Sequence, residues 1–280
     1  MAANFWTSSH LKWLVPRESL AHCQAEDRQR GLGEAQLQQL KGHFTQYIFD
    51  LANSTKLRQR VAATAVVYFR RVYVTSSYAR HDPRLVAPGC LYLASKAEES
   101  VVSAKVLLAA MRRLRPGWHV ELRQLLDAEM LILEELDAHL LVFSPYLALT
   151  KLLSSEPQLA DLGQNAWAAL NDAHRTDLPL VHAPHMLALG CVYLASVICS
   201  RDIRAWLQGV DVDLSEVYSV SMDLVHMYEH YRTPITIEEA NRLLAIARPP
   251  AAAASAAGAA VGALGAGGGA AAPGGAAVGL

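Results

Sequence analysis

The chain is 280 residues long, enough for two domains at roughly 100 to 200 residues each. Its 25 lysines and arginines stand against 26 aspartates and glutamates, a formal charge of -1, which leaves no global field to attract nucleic acid or an anionic membrane. The hydrophobic fraction of 52% is inflated by alanine, above all from Ala251 onward, where nearly every residue is Ala or Gly.

Apolar residues recur at spacings of three and four, and no Val/Ile/Thr-rich run is bounded like a strand, so the chain reads as all-α. Phe5 and Trp6 open it without a basic region leading into an apolar one, so export by a cleaved leader is not expected. Helices are predicted over 34–50, 57–75, 83–99, 103–114, 120–138 and 145–153. The second half continues with 159–175, 184–199, 203–207, 214–231 and 235–247. Pro83, Pro145, Pro184 and Pro234 stand at first turns, where a missing N–H is harmless. Residues 249–280 read as a disordered low-complexity tail, because four large aliphatics (Val261, Leu264, Val278, Leu280) among glycines and alanines cannot drive insertion into a bilayer. Of the four cysteines, Cys90, Cys191 and Cys199 sit in apolar runs and Cys23 does not; none forms a C-x-x-C pair, as expected of a reducing compartment.

An internal repeat organises the chain. Cys90-Leu91-Tyr92-Leu93-Ala94-Ser95 returns as Cys191-Val192-Tyr193-Leu194-Ala195-Ser196, one domain length later. Both copies lie in helices apolar around nearly their whole circumference, as a helix buried at the centre of a bundle must be. The copies then diverge: Lys96-Ala97-Glu98-Glu99 follows the first, Val197-Ile198-Cys199-Ser200 the second. A lysine ending a buried helix must reach water or find a partner. A second misplaced charge is Glu129, which falls on the stripe Leu122, Leu126, Leu133, Leu136 and Leu140 of its helix. Lys96 and Glu129 together make a candidate polar clamp for another protein. The plainer alternative for Lys96 is a cation complementing the helix dipole.

These residues resemble the cyclin family: two tandem five-helix cyclin-box repeats, with Leu93-Ala94-Ser95-Lys96-Ala97-Glu98-Glu99 closing the central helix of the first. Within that family, Asn4 to His10, Lys56-Leu57-Arg58-Gln59, Val67-Tyr68-Phe69 and Asn171-Asp172 with Arg175-Thr176-Asp177-Leu178 are similar to the cyclins of the Mediator kinase module. The resemblance implies an N-terminal segment and helix over 1–50, a first, kinase-binding cyclin box over 51–155 and a second box over 156–248. It implies a regulatory activator of a Mediator cyclin-dependent kinase, itself not an enzyme, acting in RNA polymerase II transcription in the nucleus, with another transcriptional cyclin of the kinase-activating or elongation type as the alternative. Lys96 and Glu129 would then meet the kinase αC region, with Leu93 and Leu133 excluding water. Glu98 and Glu99 are candidates to receive an arginine of the activation segment, against the alternative of a solvated helix end. Trp6, Trp167, Asn171 and Asp172 would form a groove for other kinase-module subunits, unless Trp167 is simply core. Arg60 in Leu57-Arg58-Gln59-Arg60-Val61 replaces an apolar docking patch with charge, as suits a transcriptional type. The connection from Ala110 to Val120 is shorter than the resemblance leads one to expect.

Competing chemistry is weaker. His226-Met227-Tyr228-Glu229-His230 fits H-x-x-E-H, but Leu224, Met227, Tyr228 and Tyr231 explain that helix as amphipathic. His182 and His185 lack cysteine partners nearby, so no metal and no cofactor is expected. Arg70-Arg71 and Arg112-Arg113-Leu114-Arg115 are local basic clusters of the kind a nucleic-acid-binding cyclin-box relative would need; Glu98-Glu99 and Glu134-Glu135 interrupt any continuous track. Neither direct nucleic-acid nor membrane binding is expected.

Overall fold

A computed structural model describes residues 4–230 and 234–248, and every regular element among them is helical. The Ala/Gly tail and Tyr231 lie outside the described residues. A 3-10 turn at Phe5–Thr7 and three short helices, α1 (Ser9–Lys12), α2 (Arg17–Leu20) and α3 (Ala25–Gln29), precede the first long helix. There follow α4 (Glu34–Ser54), α5 (Gln59–Thr75), α6 (Pro83–Ala97), α7 (Ala104–Leu114), α8 (Leu122–Glu135) and α9 (Pro145–Ser155). A 3-10 turn at Pro157–Leu162 leads to α10 (Gly163–Ala173), α11 (Leu178–Val181), α12 (Pro184–Ile198), α13 (Arg204–Leu207), α14 (Leu214–His230) and α15 (Ile237–Ala247).

Local chemistry sets these limits. Asp82 accepts the Arg84 N–H at 2.9 Å just ahead of Pro83, a side-chain cap followed by a proline whose fixed φ suits the first turn of α6. The helix anticipated over 120–138 stops at Glu135, because Asp137 and Ala138 turn into the left-handed region at φ 48 and 56. The helix anticipated over 159–175 is shorter, since Pro157–Leu162 winds as 3-10 before Gly163 opens α10. The short helices before residue 34 and α11 carry too few turns to register as periodicity.

The two central helices are α6 and α12, carrying the repeated hexapeptide. Cys90, Leu91 and Ala94 of α6, and Cys191, Val192 and Ala195 of α12, are fully buried. Each helix touches a neighbour backbone-close at a glycine at the same place in the repeat. A Cβ on Gly89 would lie 2.7 Å from Ile132 Cδ1 of α8, and one on Gly190 would lie 2.6 Å from Val220 Cβ of α14. A β-branched neighbour on a packed helix cannot retreat, so Gly190→Ala is expected to cost about 1–3 kcal/mol. Urea unfolding monitored by circular dichroism reads it directly, and a midpoint equal to wild type would show that α14 yields freely.

The first core unites α4 to α8 with Val142 and, from the far end of the chain, Ala240, Leu243, Leu244 and Ala247 of α15. That last helix is tied down by polar contacts as well. Arg30 donates to the Ala247 carbonyl at 2.7 Å, and Arg248 donates to the carbonyls of Tyr78 and Ala79 at 3.0 and 2.8 Å. The second core gathers α9, α10, α12 and α14. Between the two stands a buried ion cluster. Asp177 accepts from Lys41 and Gln38 of α4, both at 2.9 Å, and from Arg70 of α5 at 2.6 Å. Arg70 also donates to the Arg175 carbonyl at 2.6 Å. Burial alone would raise the Asp177 carboxyl, but Lys41 and Arg70 outweigh it and hold the group well below the usual carboxylate range. Arg70 and Arg71, adjacent in sequence as a basic cluster, are both buried and offer nothing to a polyanion. Cys199, in contrast to buried Cys90 and Cys191, is exposed past the end of α12.

Candidate functional site

The end of α6 is a Schellman turn. Ser100 donates to the Ser95 carbonyl at 2.8 Å and Glu99 to the Lys96 carbonyl at 3.1 Å, with Glu99 left-handed at φ 51. Lys96 leaves the helix in this last turn. Its Nζ passes over the Tyr92 ring, 4.3 Å from the centroid, and donates to both Glu129 oxygens at 2.7 and 2.8 Å. The two misplaced charges of the sequence thus meet as one ion pair, with side chains 41% and 14% exposed for Lys96 and Glu129. Lys96 loses some hydration at the helix end, but the hydrogen bond and charge of Glu129, with Tyr92, hold its pKa above the ordinary lysine value. Lys96 therefore keeps its charge near neutral pH, and the outer edge of the pair is open to a partner.

The surroundings differ from the periodicity argument in one respect. On α8 the buried seam is Leu125, Ala128 and Ile132, continued by Leu136, whereas Leu122, Leu126 and Met130 are exposed and Leu133 is half-buried. The helix carries apolar residues on two faces, and Glu129 stands between them. Beside the ion pair there is consequently a bare apolar row on α8, while Leu93 is buried beneath. Met130 and Leu133 line a shallow depression bordered by Asp127, Glu134 and Asp137.

Glu98 is occupied. Its carboxylate accepts from Thr64 at 2.8 Å and pairs with Arg60 at 2.6 Å, leaving the Glu98 side chain 9% exposed. Glu99 is exposed in the left-handed position. The Arg60 charge that stood out in sequence thus belongs to a bridge from α5 to the end of α6.

The other predicted residues fall in two places. Asn171 accepts from Gln59 at 3.0 Å and from the Tyr146 hydroxyl at 2.8 Å, Asp172 accepts from Tyr228 at 3.0 Å, and Trp167 packs on the Tyr146 ring at 4.9 Å while staying partly exposed. Trp6 is exposed and rests on different neighbours, Phe5 at 5.2 Å and His185 at 5.7 Å. Gln59, Tyr146 and Tyr228, which hold Asn171 and Asp172 in place, come from three separate helices; Gln59 and Tyr228 stood out in sequence for other reasons, and Tyr146 did not. His226 and His230 stack with centroids 4.3 Å apart, and among the described residues no group of three His, Cys, Asp or Glu is placed to hold a metal.

The comparisons with known proteins bear on this arrangement. The cyclin N-terminal domain profile matches residues 15–141. Cyclin-C1-1 of Arabidopsis thaliana is 44% identical over 245 residues, 86% of this chain and 96% of its own length. The chain belongs to the cyclin family, in its cyclin C branch. Cyclin-C1-1 of Oryza sativa subsp. japonica is 43% identical over 83% of this chain and 91% of that protein. A chain of the Chaetomium thermophilum CAK complex bound to ATP-gamma-S superposes with a TM-score of 0.67 over 88% of this cyclin and 89% of its own length, at 19% identity, so the fold is shared where sequence has diverged. The two tandem repeats built on α6 and α12 are the cyclin fold, and Lys96 lies in the part of this cyclin that the domain profile covers.

Proposed function

We propose that this cyclin is the regulatory subunit of a transcriptional cyclin-dependent kinase, that of the Mediator kinase module, acting on RNA polymerase II transcription in the nucleus. The observation that carries the reading is the Lys96–Glu129 pair, held at 2.7 Å beside the exposed row Leu122, Leu126 and Met130 on a chain similar over 86% of its length to a protein named Cyclin-C1-1. Phosphoryl transfer in a protein kinase needs the β3 lysine paired with the αC glutamate, so αC must be held inward. A rigid face built on α6 and α8 does this by binding. Lys96 donates to carbonyls or a carboxylate at the end of αC, Glu129 accepts from amides there, and the leucine row with Leu133 excludes water. The cyclin makes and breaks no bond. It shifts an equilibrium the kinase already has, by no more than its difference in affinity for the two states. Glu99, exposed beyond the pair, is the acceptor open to an activation-segment arginine; Glu98 reaches such a partner only by releasing Arg60. The patch of Trp167, Asn171 and Asp172, and separately Trp6 beside His185, are assigned to other kinase-module subunits. Residues 51–155 serve the kinase and 156–248 form the second box.

The test is a charge swap. In Lys96→Glu, Glu129→Lys the internal ion pair survives with reversed polarity, so the variant keeps its helical circular dichroism and melting temperature. Its capture of the Mediator kinase is expected to fall at least 30-fold, about 2 kcal/mol, with loss of activation. A swapped variant that binds and activates like wild type would falsify the assignment of the clamp.

A further inference from the structure

The two repeats can be superposed residue by residue through features already described. Pro83 to Ala97 of α6 corresponds to Pro184 to Ile198 of α12 through the shared hexapeptide, and both helices end in the same turn. Arg201 donates to the Ser196 carbonyl at 2.8 Å and Ser200 is left-handed at φ 52, as Ser100 and Glu99 do in the first repeat. On the partner helices, buried Leu125, Ala128 and Ile132 of α8 answer to buried Val217, Val220 and Leu224 of α14, and Ala128 and Val220 each face the close-approach glycine. Exposure matches as well. Leu126 and Met130 are 40% and 63% exposed, and their counterparts Tyr218 and Met222 are 39% and 64% exposed.

The clamp itself is what changes. Lys96 corresponds to Val197, which is 57% exposed, and Glu129 corresponds to Ser221, whose buried hydroxyl turns inward to the Gly190 carbonyl at 2.9 Å. Tyr193, the counterpart of Tyr92, packs on Tyr218 with centroids 4.9 Å apart, and Ile198 stands exposed beside Val197. The charge at the rim is already neutralised, since Arg204 is held by Asp202 through Nη2–Oδ2 at 2.6 Å and Arg201 pairs with Asp161. The second repeat thus keeps the shape of the first repeat's face and removes its charge.

We propose that Val197, Ile198, Tyr218 and Met222 form a second docking face, which takes an amphipathic helix of a protein other than the kinase through a stripe that is apolar and carries no charge. Charge complementarity sets the stripe, because a charged residue seated here would lose water and meet no free counterion. Spacing sets the helix, because Tyr218 and Met222 are one turn apart and present the ridge against which residues at i, i+4 and i+7 pack. Area argues against a second copy of the chain. Four partly exposed side chains offer a few hundred Å², short of the roughly 800 Å² that each partner of a standard interface buries. Exposure and the repeat alone define this face, whether or not the first face binds a kinase.

The probe is an 18-residue Ala/Gln-based helical peptide with leucines at i, i+4, i+7 and i+11, and its control carries glutamates at those positions. Binding to the full chain is measured by fluorescence anisotropy. The leucine peptide is expected to bind in the micromolar to sub-millimolar range and the control not at all. Met222→Glu and Val197→Glu, at exposed sites that leave the fold intact, are expected to weaken binding at least tenfold, whereas Lys96→Glu leaves it unchanged. Peptide binding that is absent, or insensitive to Met222→Glu, overturns the proposal. So does a chain dimer in sedimentation that Met222→Glu dissociates, which would give the face to a second copy. Loss of kinase capture in Met222→Glu would likewise overturn it by assigning the face to the kinase, while loss of capture in the Lys96/Glu129 swap alone bears only on the first face.

Discussion

Asp177→Asn is expected to destabilise the chain by about 3–5 kcal/mol, a large share of the 5–15 kcal/mol that a domain of ordinary stability possesses. The carboxylate is shared by Lys41 and Arg70, whose side chains are 10% and 1% exposed, so neutralising it leaves two buried cations of the first repeat side by side with no anion opposite them. Asparagine retains the shape and one acceptor, which isolates the charge. Chemical denaturation gives the size of the loss. A loss below 1 kcal/mol would mean that water reaches the cluster and solvates Arg70. The converse experiment separates charge from packing: Asp177→Leu combined with Lys41→Leu and Arg70→Leu removes every charge at once and is expected to recover most of the loss, because a buried ion network is costly mainly when broken. Arg70 also donates to the Arg175 carbonyl, so recovery falls short of complete by about one hydrogen bond.

Mild acid is expected to weaken the fold steeply through two buried histidines. Burial drives His174 from the usual 6.5 down to about 4, with Arg70 adding to the effect. Burial likewise drives His10 down to about 3, with Arg71 adding to the effect. Each imidazole is committed to its neutral form. The Phe143 N–H donates to His10 Nδ1 at 2.9 Å, and His174 Nδ1 donates to the Leu170 carbonyl at 2.8 Å beneath the Tyr146 ring. Both native pKa values are depressed, so the stability they confer is complete above pH 6.5, where the unfolded chain is also neutral. It declines as pH falls, because the unfolded state binds the proton first. Each histidine loses about 1.4 kcal/mol per pH unit over that range, so the pair together removes on the order of 5 kcal/mol between pH 6.5 and 4.5. The readout is the urea midpoint against pH. His174→Gln is expected to lower stability at pH 7 yet flatten the slope, and an unchanged slope would place the acid sensitivity elsewhere.

The sequence was legible where chemistry stood out against its own neighbours. Lys96 and Glu129 were visible because each is a charge on an apolar surface, and the repeat was visible because the two hexapeptides are nearly identical. The buried seam of α8 is not legible because that helix is apolar on two faces, and spacing alone does not distinguish the face that meets the core from the face left exposed. Arg70 and Asp177 are 107 positions apart, so no local pattern announces that they neutralise each other. The capture of Glu98 by Thr64 and Arg60 is hidden for the same reason: both partners lie on the preceding helix. The α5–α6 packing that joins them is a tertiary fact. Patterns within one helix carry information about a few turns, whereas a site made from three helices is specified by the packing of all of them.

The position of α15 has a consequence for synthesis. The bundle carrying the proposed kinase face is made first, yet Leu243 and Leu244 that complete its core, and Arg248 that closes it over Tyr78, are among the last described residues to be made. A nascent chain halted after α9 therefore holds a bundle with an open apolar seam, waiting for a helix that begins about eighty positions later. The second repeat must be made before that helix can arrive. Translation thus delays completion of the bundle under the proposed kinase face until nearly the whole chain exists, so a truncated product lacking α15 would carry that face on an incomplete bundle exposed to proteolysis.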